Sequence, residues 1–182
     1  GFVVRMHASA SSFLAAAPGL GKACLVTDLR MPDMTGVELL EKLREAGHDM
    51  PAVVITGHGD VPMAVAAMKA GASDFIEKPF GDEVLIEAIK RAASRLDAAT
   101  EKVDDVAAIR SRLEHLSERE RQVLSGVVAG LPNKTIAYDL DISPRTVEVH
   151  RANIMAKMQA ASLPELVRMA IALEIGGKPS TA

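Results

Sequence analysis

Three short apolar runs, each closing on a polar side chain and separated by helix-patterned stretches, constrain this chain most. Ala23–Leu29 (ACLVTDL) carries Asp28 near its end, Ala52–Thr56 (AVVIT) ends on Thr56, and Phe75–Glu77 leads into Lys78. Between the first two, Thr35-Gly-Val-Glu38 reads as a capping box, and a helical pattern follows through Leu39, Leu40 and Leu43 to a stop at Gly47. Asp60 is expected to cap a second helix, with Pro62 in its first turn and Gly71 at its end. Pro79 breaks the third run, and the chain is helical again from Asp82. Near-continuous apolar strands alternating with helices predict a doubly wound α/β fold, a parallel sheet covered on both faces. One more strand is expected over Phe2–Met6. Starting at Gly1 and running straight into apolar residues, the chain looks cut rather than naturally begun.

The second half has a different period and no strand pattern. Ser117-Glu-Arg-Glu120 is a capping box, opening a helix that closes at Gly130. Asn133 is expected to cap a short helix reaching about Leu140. Ser143 caps a third with Pro144 at its first position, and Ser162-Leu-Pro-Glu165 caps a fourth that ends near Gly176. From about Leu85 to Leu113 the pattern stays helical while becoming charged and Ala-rich, as expected of a last helix running into a linker. The domain reading is therefore residues 1–95, a helical linker over 96–112, and a four-helix domain over 113–178.

Composition narrows the function classes. With 48% hydrophobic residues among 182, the chain can bury a real core, built mostly from aliphatic side chains because only four Phe and one Tyr are present. The single cysteine, Cys24, excludes an internal disulfide and suits a reducing cytosol. No apolar run reaches the ~18 residues of a membrane span, and no signal-peptide pattern opens the chain. A cytoplasmic protein with no membrane partner is expected. Residues 111–182 carry 9 Lys/Arg and 8 Asp/Glu. That balance alone does not argue for nucleic acid, so motif and spacing must.

Asp28, Thr56 and Lys78 fall where an open parallel sheet places its functional crevice, at the carboxyl ends of the strands. An aspartate can attack a phosphoryl group and hold it as an acyl phosphate. A lysine and a hydroxyl beside it can bind the phosphoryl oxygens. Taken singly, each has an ordinary alternative: a turn aspartate, a packing threonine, a solvated lysine. The contexts TDLRMPDMTG, ITGHGDVPMAVAAMKAGA and DFIEKPF resemble the bacterial response-regulator receiver domain, the CheY-like fold, across residues 1 to about 95.

That resemblance implies that Asp28 is the phosphorylation site, that Thr56 and Lys78 contact the phosphoryl group, that Phe75 is the aromatic that switches rotamer, and that Lys78–Pro79 is cis. It also implies Mg²⁺, held by Asp28 together with an acidic pair on a first strand. No acidic residue precedes Asp28, so the first strand and helix of the family are expected to be missing and Mg²⁺ binding by this chain is doubtful. In the strand order 2-1-3-4-5 the missing strand leaves a gap between residues 2–6 and 23–29. A haloacid-dehalogenase-type phosphotransferase also uses a strand-end Asp, but wants a second acid two residues on, where Arg30 stands here.

Asn133–Leu140, a turn at Asp141-Ile142, and Pro144 to about Met158 give the spacing of a helix-turn-helix. Val147, Ile154 and Met158 share one face and should point to the core. Arg145, Glu148, Val149 and Ala152 share the opposite face and can reach base edges. Lys134, Arg151 and Lys157 flank it and can reach phosphates. Spacing alone leaves a helical dimerisation module open. The stretch LSERERQVLSGVVAGLPNKTIAYDLDISPRTVEVHRANIMAKM resembles the LuxR-type four-helix DNA-binding domain over residues 113 to 175. By that resemblance Ser143 and Thr146 join the DNA-contacting set.

The two resemblances together imply a phosphorylation-switched transcriptional activator rather than an enzyme. Its implied partners are promoter DNA, a cognate histidine kinase, RNA polymerase and, on phosphorylation, a second copy of itself. Two receivers are expected to meet around Val65, Lys69, Phe75 and Ile86. A DNA-binding protein whose receiver serves only as a dimerisation scaffold is the alternative. The five histidines show no metal-ligand spacing.

Overall fold

A computed structural model of the chain describes residues 2–57, 61–97, 106–173 and 175. Gly1, His58, Asp60, Gly176 and the linker residues 98–105, on all of which the sequence carries expectations, lie outside that set. The chain forms two compact units, residues 1–59 with 70–99, and residues 60–69 with 100–182.

The first unit is built on a parallel sheet of three strands: β1 (Leu25–Asp28), β2 (Ala52–Thr56) and β3 (Asp74–Glu77), in the order β1-β2-β3. The register sets Asp28 opposite Ile55 and Thr56 opposite Glu77, so the strands end together. β2 is buried at all five positions, as an unbroken apolar run in a central strand should be. Helix α1 (Ala10–Ala16) precedes the sheet, α2 (Gly36–Glu45) follows β1, and α4 (Asp82–Asp97) follows β3. The expected capping box of α2 is present, with Thr35 accepting from the Glu38 amide and Glu38 accepting in return. Leu39, Leu40 and Leu43 bury its inner face, each such side chain contributing about 1.5–3 kcal/mol. On α4, Ala88 and Ala92 are buried in one cluster with Val53 and Ile76 of the sheet. Arg91 ties α4 to β3 through the buried carboxylate of Asp74, 2.7 Å away. The Lys78–Pro79 bond is cis, as expected.

Residues 2–6 are not a strand, contrary to the expectation from their apolar run. Phe2, Val3, Val4 and Met6 are exposed. A strand needs a neighbour to take up its amides and carbonyls, and among the described residues β1 pairs with β2 alone. An open cavity of about 970 Å³, lined by Phe2, Val4, Phe13, Val26 and Ile89 among others, lies where the gap in the sheet is expected.

The second unit is helical: α3 (Val61–Lys69), α5 (Val106–Glu114), α6 (Glu118–Val128), α7 (Asn133–Asp139), α8 (Pro144–Met158) and α9 (Leu163–Ala172). Its core takes Val123, Leu124 and Val127 from α6, Ile136 from α7, Val147, Ile154 and Met158 from α8, and Leu166 and Met169 from α9. These are the i, i+3, i+4 and i+7 positions of amphipathic helices. α6 and α7 approach closely at Gly126, where a Cβ would come within 2.8 Å of Ile136 Cγ1. The capping box at Ser117 and the caps at Ser143 and Ser162 form as expected. Asn133 does not cap α7. Pro132 occupies the cap position with no side-chain hydrogen bond, and Asn133 is the first helical residue.

Candidate functional site

The carboxyl ends of the three strands bring Asp28, Thr56 and Lys78 together. The Lys78 ammonium donates to Asp28 Oδ2 at 2.7 Å, and the Arg30 amide donates to Asp28 Oδ1 at 3.0 Å. The amide of Lys78 donates to the Thr56 carbonyl at 2.7 Å, which locks the turn after β3 onto the end of β2. Thr56 is 1% exposed, whereas the Asp28 and Lys78 side chains are 36% and 48% exposed. Phe75 is half-buried on β3. Burial pushes the Asp28 carboxyl up. The hydrogen bonds from Lys78 and the Arg30 amide, with the Lys78 charge, outweigh it and hold the carboxyl below its ordinary value. The group is therefore ionised, accessible and paired with a partly exposed cation. It can act as a nucleophile toward phosphorus, its oxygen giving up its charge as the P–O bond forms and leaving the ammonium to the charged phosphoryl oxygens.

A residue to which the sequence-based reading gave no role of its own shapes this site. At Gly36, the first residue of α2, a Cβ would lie 2.7 Å from the backbone oxygen of Asp28. The Gly36 amide donates to the Leu29 carbonyl at 2.8 Å, folding the β1–α2 loop tightly against Asp28. Farther along that loop, Asp33 receives the Ser11 amide and hydroxyl, both at 2.8 Å, and holds the start of α1.

The second candidate site is the face of α8. The turn from α7 runs through Asp141 in the left-handed region (φ 52°), which Asp tolerates better than most residues. Ser143 then caps α8, accepting from the Thr146 amide at 3.0 Å, with the two hydroxyls 2.8 Å apart. Val147, Ile154 and Met158 are fully buried, while Arg145, Glu148, Val149 and Ala152 are exposed, as their spacing predicts. Arg145 and Glu148 pair at 3.1 Å on the surface. Lys134 is exposed on α7, as is Tyr138, which the sequence reading passed over.

The other two cations of the expected set are paired with residues of the same domain. Arg151 donates to Asn133 Oδ1 at 2.9 Å, and Lys157 lies 2.7 Å from Glu120.

Known proteins bear on both halves. Residues 1–90 match the response regulator receiver domain family, and residues 114–170 match the bacterial regulatory proteins of the luxR family. The transcriptional regulatory protein FixJ of Rhizobium meliloti is 71% identical over 172 residues, covering 94% of this chain and 84% of that protein. The chain belongs to the response regulators with a LuxR-type DNA-binding domain. FixJ of Azorhizobium caulinodans is 55% identical to it over 171 residues, covering 94% of this chain and 81% of that relative. The crystal structure of full-length FixJ from B. japonicum is similar with a TM-score of 0.52 at 48% identity, covering 96% of this chain and 86% of that one. The crystal structure of FixJ-N gives a TM-score of 0.50 at 66% identity over 52% of this chain and 75% of that one. This response regulator is thus a DNA-binding transcriptional regulator of a two-component system, a CheY-like receiver followed by a LuxR-type helical domain. Among its described residues no helix is long and apolar enough to cross a membrane.

Receivers as a family use Mg²⁺. The described residues of this regulator do not fit the ion: no three of its His, Cys, Asp or Glu side chains gather into a possible metal site. A hard dication that wants about six oxygens finds at Asp28 one carboxylate already paired with an ammonium.

Proposed function

We propose that Asp28 accepts the phosphoryl group of a phosphohistidine on a cognate histidine kinase. One Oδ attacks phosphorus, the P–O bond forms as the P–N bond to the imidazole breaks, the leaving imidazole takes up a proton, and the carboxylate becomes an acyl phosphate whose negative charge lies on the phosphoryl oxygens. Lys78, released from its ion pair, turns to the phosphoryl oxygens with Thr56, and Phe75 is the side chain through which β3 reads the change. The observation that carries this reading is the 2.7 Å contact between Lys78 Nζ and Asp28 Oδ2 at the ends of the strands. Arg145, Glu148, Val149 and Ala152 read base edges, and Lys134, Ser143 and Thr146 hold the backbone of promoter DNA.

Phosphorylation favours a homodimer through the face around Phe75 and Ile86, which would set two recognition helices about one DNA turn, roughly 34 Å, apart; of the other two residues expected there, Val65 is buried, and both it and Lys69 belong to the second unit. The likeness to FixJ supports a cytoplasmic activator of nitrogen-fixation genes, served by a FixL-like kinase and acting on RNA polymerase. The test is phosphorylation by acetyl phosphate with Mg²⁺, using a form extended upstream by a receiver's first strand and helix. Wild type should be labelled and Asp28→Asn should not. Equal labelling of the two would remove Asp28 as the acceptor. Without the extension, labelling should be far weaker.

A further inference from the structure

Lys157 sits in the last turn of α8, and its ammonium, on a side chain that is 41% exposed, is paired within the domain. Nζ lies 2.7 Å from Oε2 of Glu120, the third residue of α6, whose side chain is 4% exposed. The same oxygen accepts the Ser117 amide at 2.8 Å, while Ser117 Oγ accepts the Glu120 amide at 3.3 Å. One carboxylate therefore completes the capping box of α6 and receives the cation of α8. The hydrogen bond from Lys157 lowers the Glu120 carboxyl most; burial opposes it and the Ser117 groups assist, leaving the group below its ordinary value. A carboxylate this buried is costly once its counter-charge is removed. The C-terminal end of α8 has a second tether: Arg112 of α5 donates to the Met158 carbonyl at 3.5 Å. Its exposed residues Arg145, Glu148 and Val149 lie toward the other end.

We infer that Lys157 is a positioning residue and not a phosphate contact: with Glu120 it pins the C-terminal end of α8 to α6 and so sets the angle at which α8 meets base edges. This rests on the proposed entry of α8 into DNA. A cation that only touches phosphate contributes equally to all sequences and adds to the salt dependence. A strut inside the fold contributes to neither in that way. Its loss tilts the helix and erodes discrimination.

The test compares the full chain with Lys157→Met, Glu120→Gln and the double variant on two fluorescent duplexes over a salt series. One duplex is selected by the wild-type chain from a random library, and the other has mixed sequence. Lys157→Met should lower the selected-to-mixed affinity ratio by roughly five-fold or more, within the coupling range of neighbouring residues, and leave the log–log salt slope unchanged. Adding Glu120→Gln should restore part of the ratio, because a neutral amide needs no ammonium. A slope shallower by about 0.9, with equal loss on both duplexes and no rescue, would overturn the inference. If Lys157→Met does not fold, Glu120→Gln decides. A lysine freed to bind phosphate would keep the ratio and bind at least as tightly as wild type, against the inference. A lowered ratio supports it. A wild-type chain that binds neither duplex would overturn the reading of α8 itself, and this inference with it.

Discussion

Lys78 reaches Asp28 across the end of a strand to which neither belongs. The two lie 50 residues apart in the chain, follow or end the outer strands β3 and β1, and meet at 2.7 Å over the carboxyl end of β2. The pair is partly exposed, so its contribution to stability is about 0.2–1 kcal/mol at most. Its consequence is chemical. It favours the ionised form of Asp28, and it sets a cation beside the proposed acceptor.

That relationship fixes a pH dependence. The Asp28 carboxyl is held below its ordinary value of 3.8. The pair therefore adds stability above that value and loses it as pH falls through the depressed one. Lys78→Ala should raise the Asp28 pKa toward 3.8, observable by NMR titration of its side-chain carboxyl carbon. Identical titrations in the two proteins would mean that the ion pair does not exist in solution.

Gly36→Ala should damage the same site through the backbone. The added methyl would lie 2.7 Å from the Asp28 carbonyl oxygen, which is main chain and cannot step aside. A loss of about 1–3 kcal/mol in urea unfolding is expected, as for overpacking elsewhere, together with slower phosphorylation of the upstream-extended form. Gly21→Ala is the control. Nothing lies within 4 Å of its Cβ, and its effect should stay within about 0.5 kcal/mol. Equal effects at the two positions would contradict the close approach.

On DNA, Lys134→Ala should weaken binding to all duplexes and reduce the log–log salt slope by about 0.9, the share of one phosphate. Val149→Ala, which removes an apolar side chain from the exposed face of α8, should instead change sequence preference at an unchanged slope. A Lys134→Ala variant that altered preference alone would place α7 wrongly.

Most of the site was readable because it depends on local rules. Strand-end positions follow from short apolar runs and the polar and turn residues that close them. The capping boxes at Thr35 and Ser117 follow from hydrogen bonds spanning three residues, which any tertiary context preserves. What escaped depends on distant partners. α1 is only seven residues of mixed Ser and Ala, Phe and Leu, and its start is held by Asp33, 22 residues away. Residues 2–6 have the composition of a strand but no neighbour to pair with. Asn133 has the residue type of a cap, yet its side chain is taken by Arg151. Lys157 has the helical position of a phosphate contact, yet its partner is a buried glutamate 37 residues earlier. Sequence spacing shows which face a residue occupies and does not show what else competes for its charge.

Control of the DNA affinity of α8 by the charge on Asp28 is the expected behaviour of the whole chain. Its most direct test is the affinity of the upstream-extended wild-type protein and its Asp28→Asn variant for a library-selected duplex, before and after acetyl phosphate with Mg²⁺. Wild type should tighten at least about ten-fold, a shift of roughly 1.4 kcal/mol, while Asp28→Asn should not change. A variant that tightens as much as wild type, or a wild-type protein that is fully phosphorylated yet binds no more tightly, would contradict it.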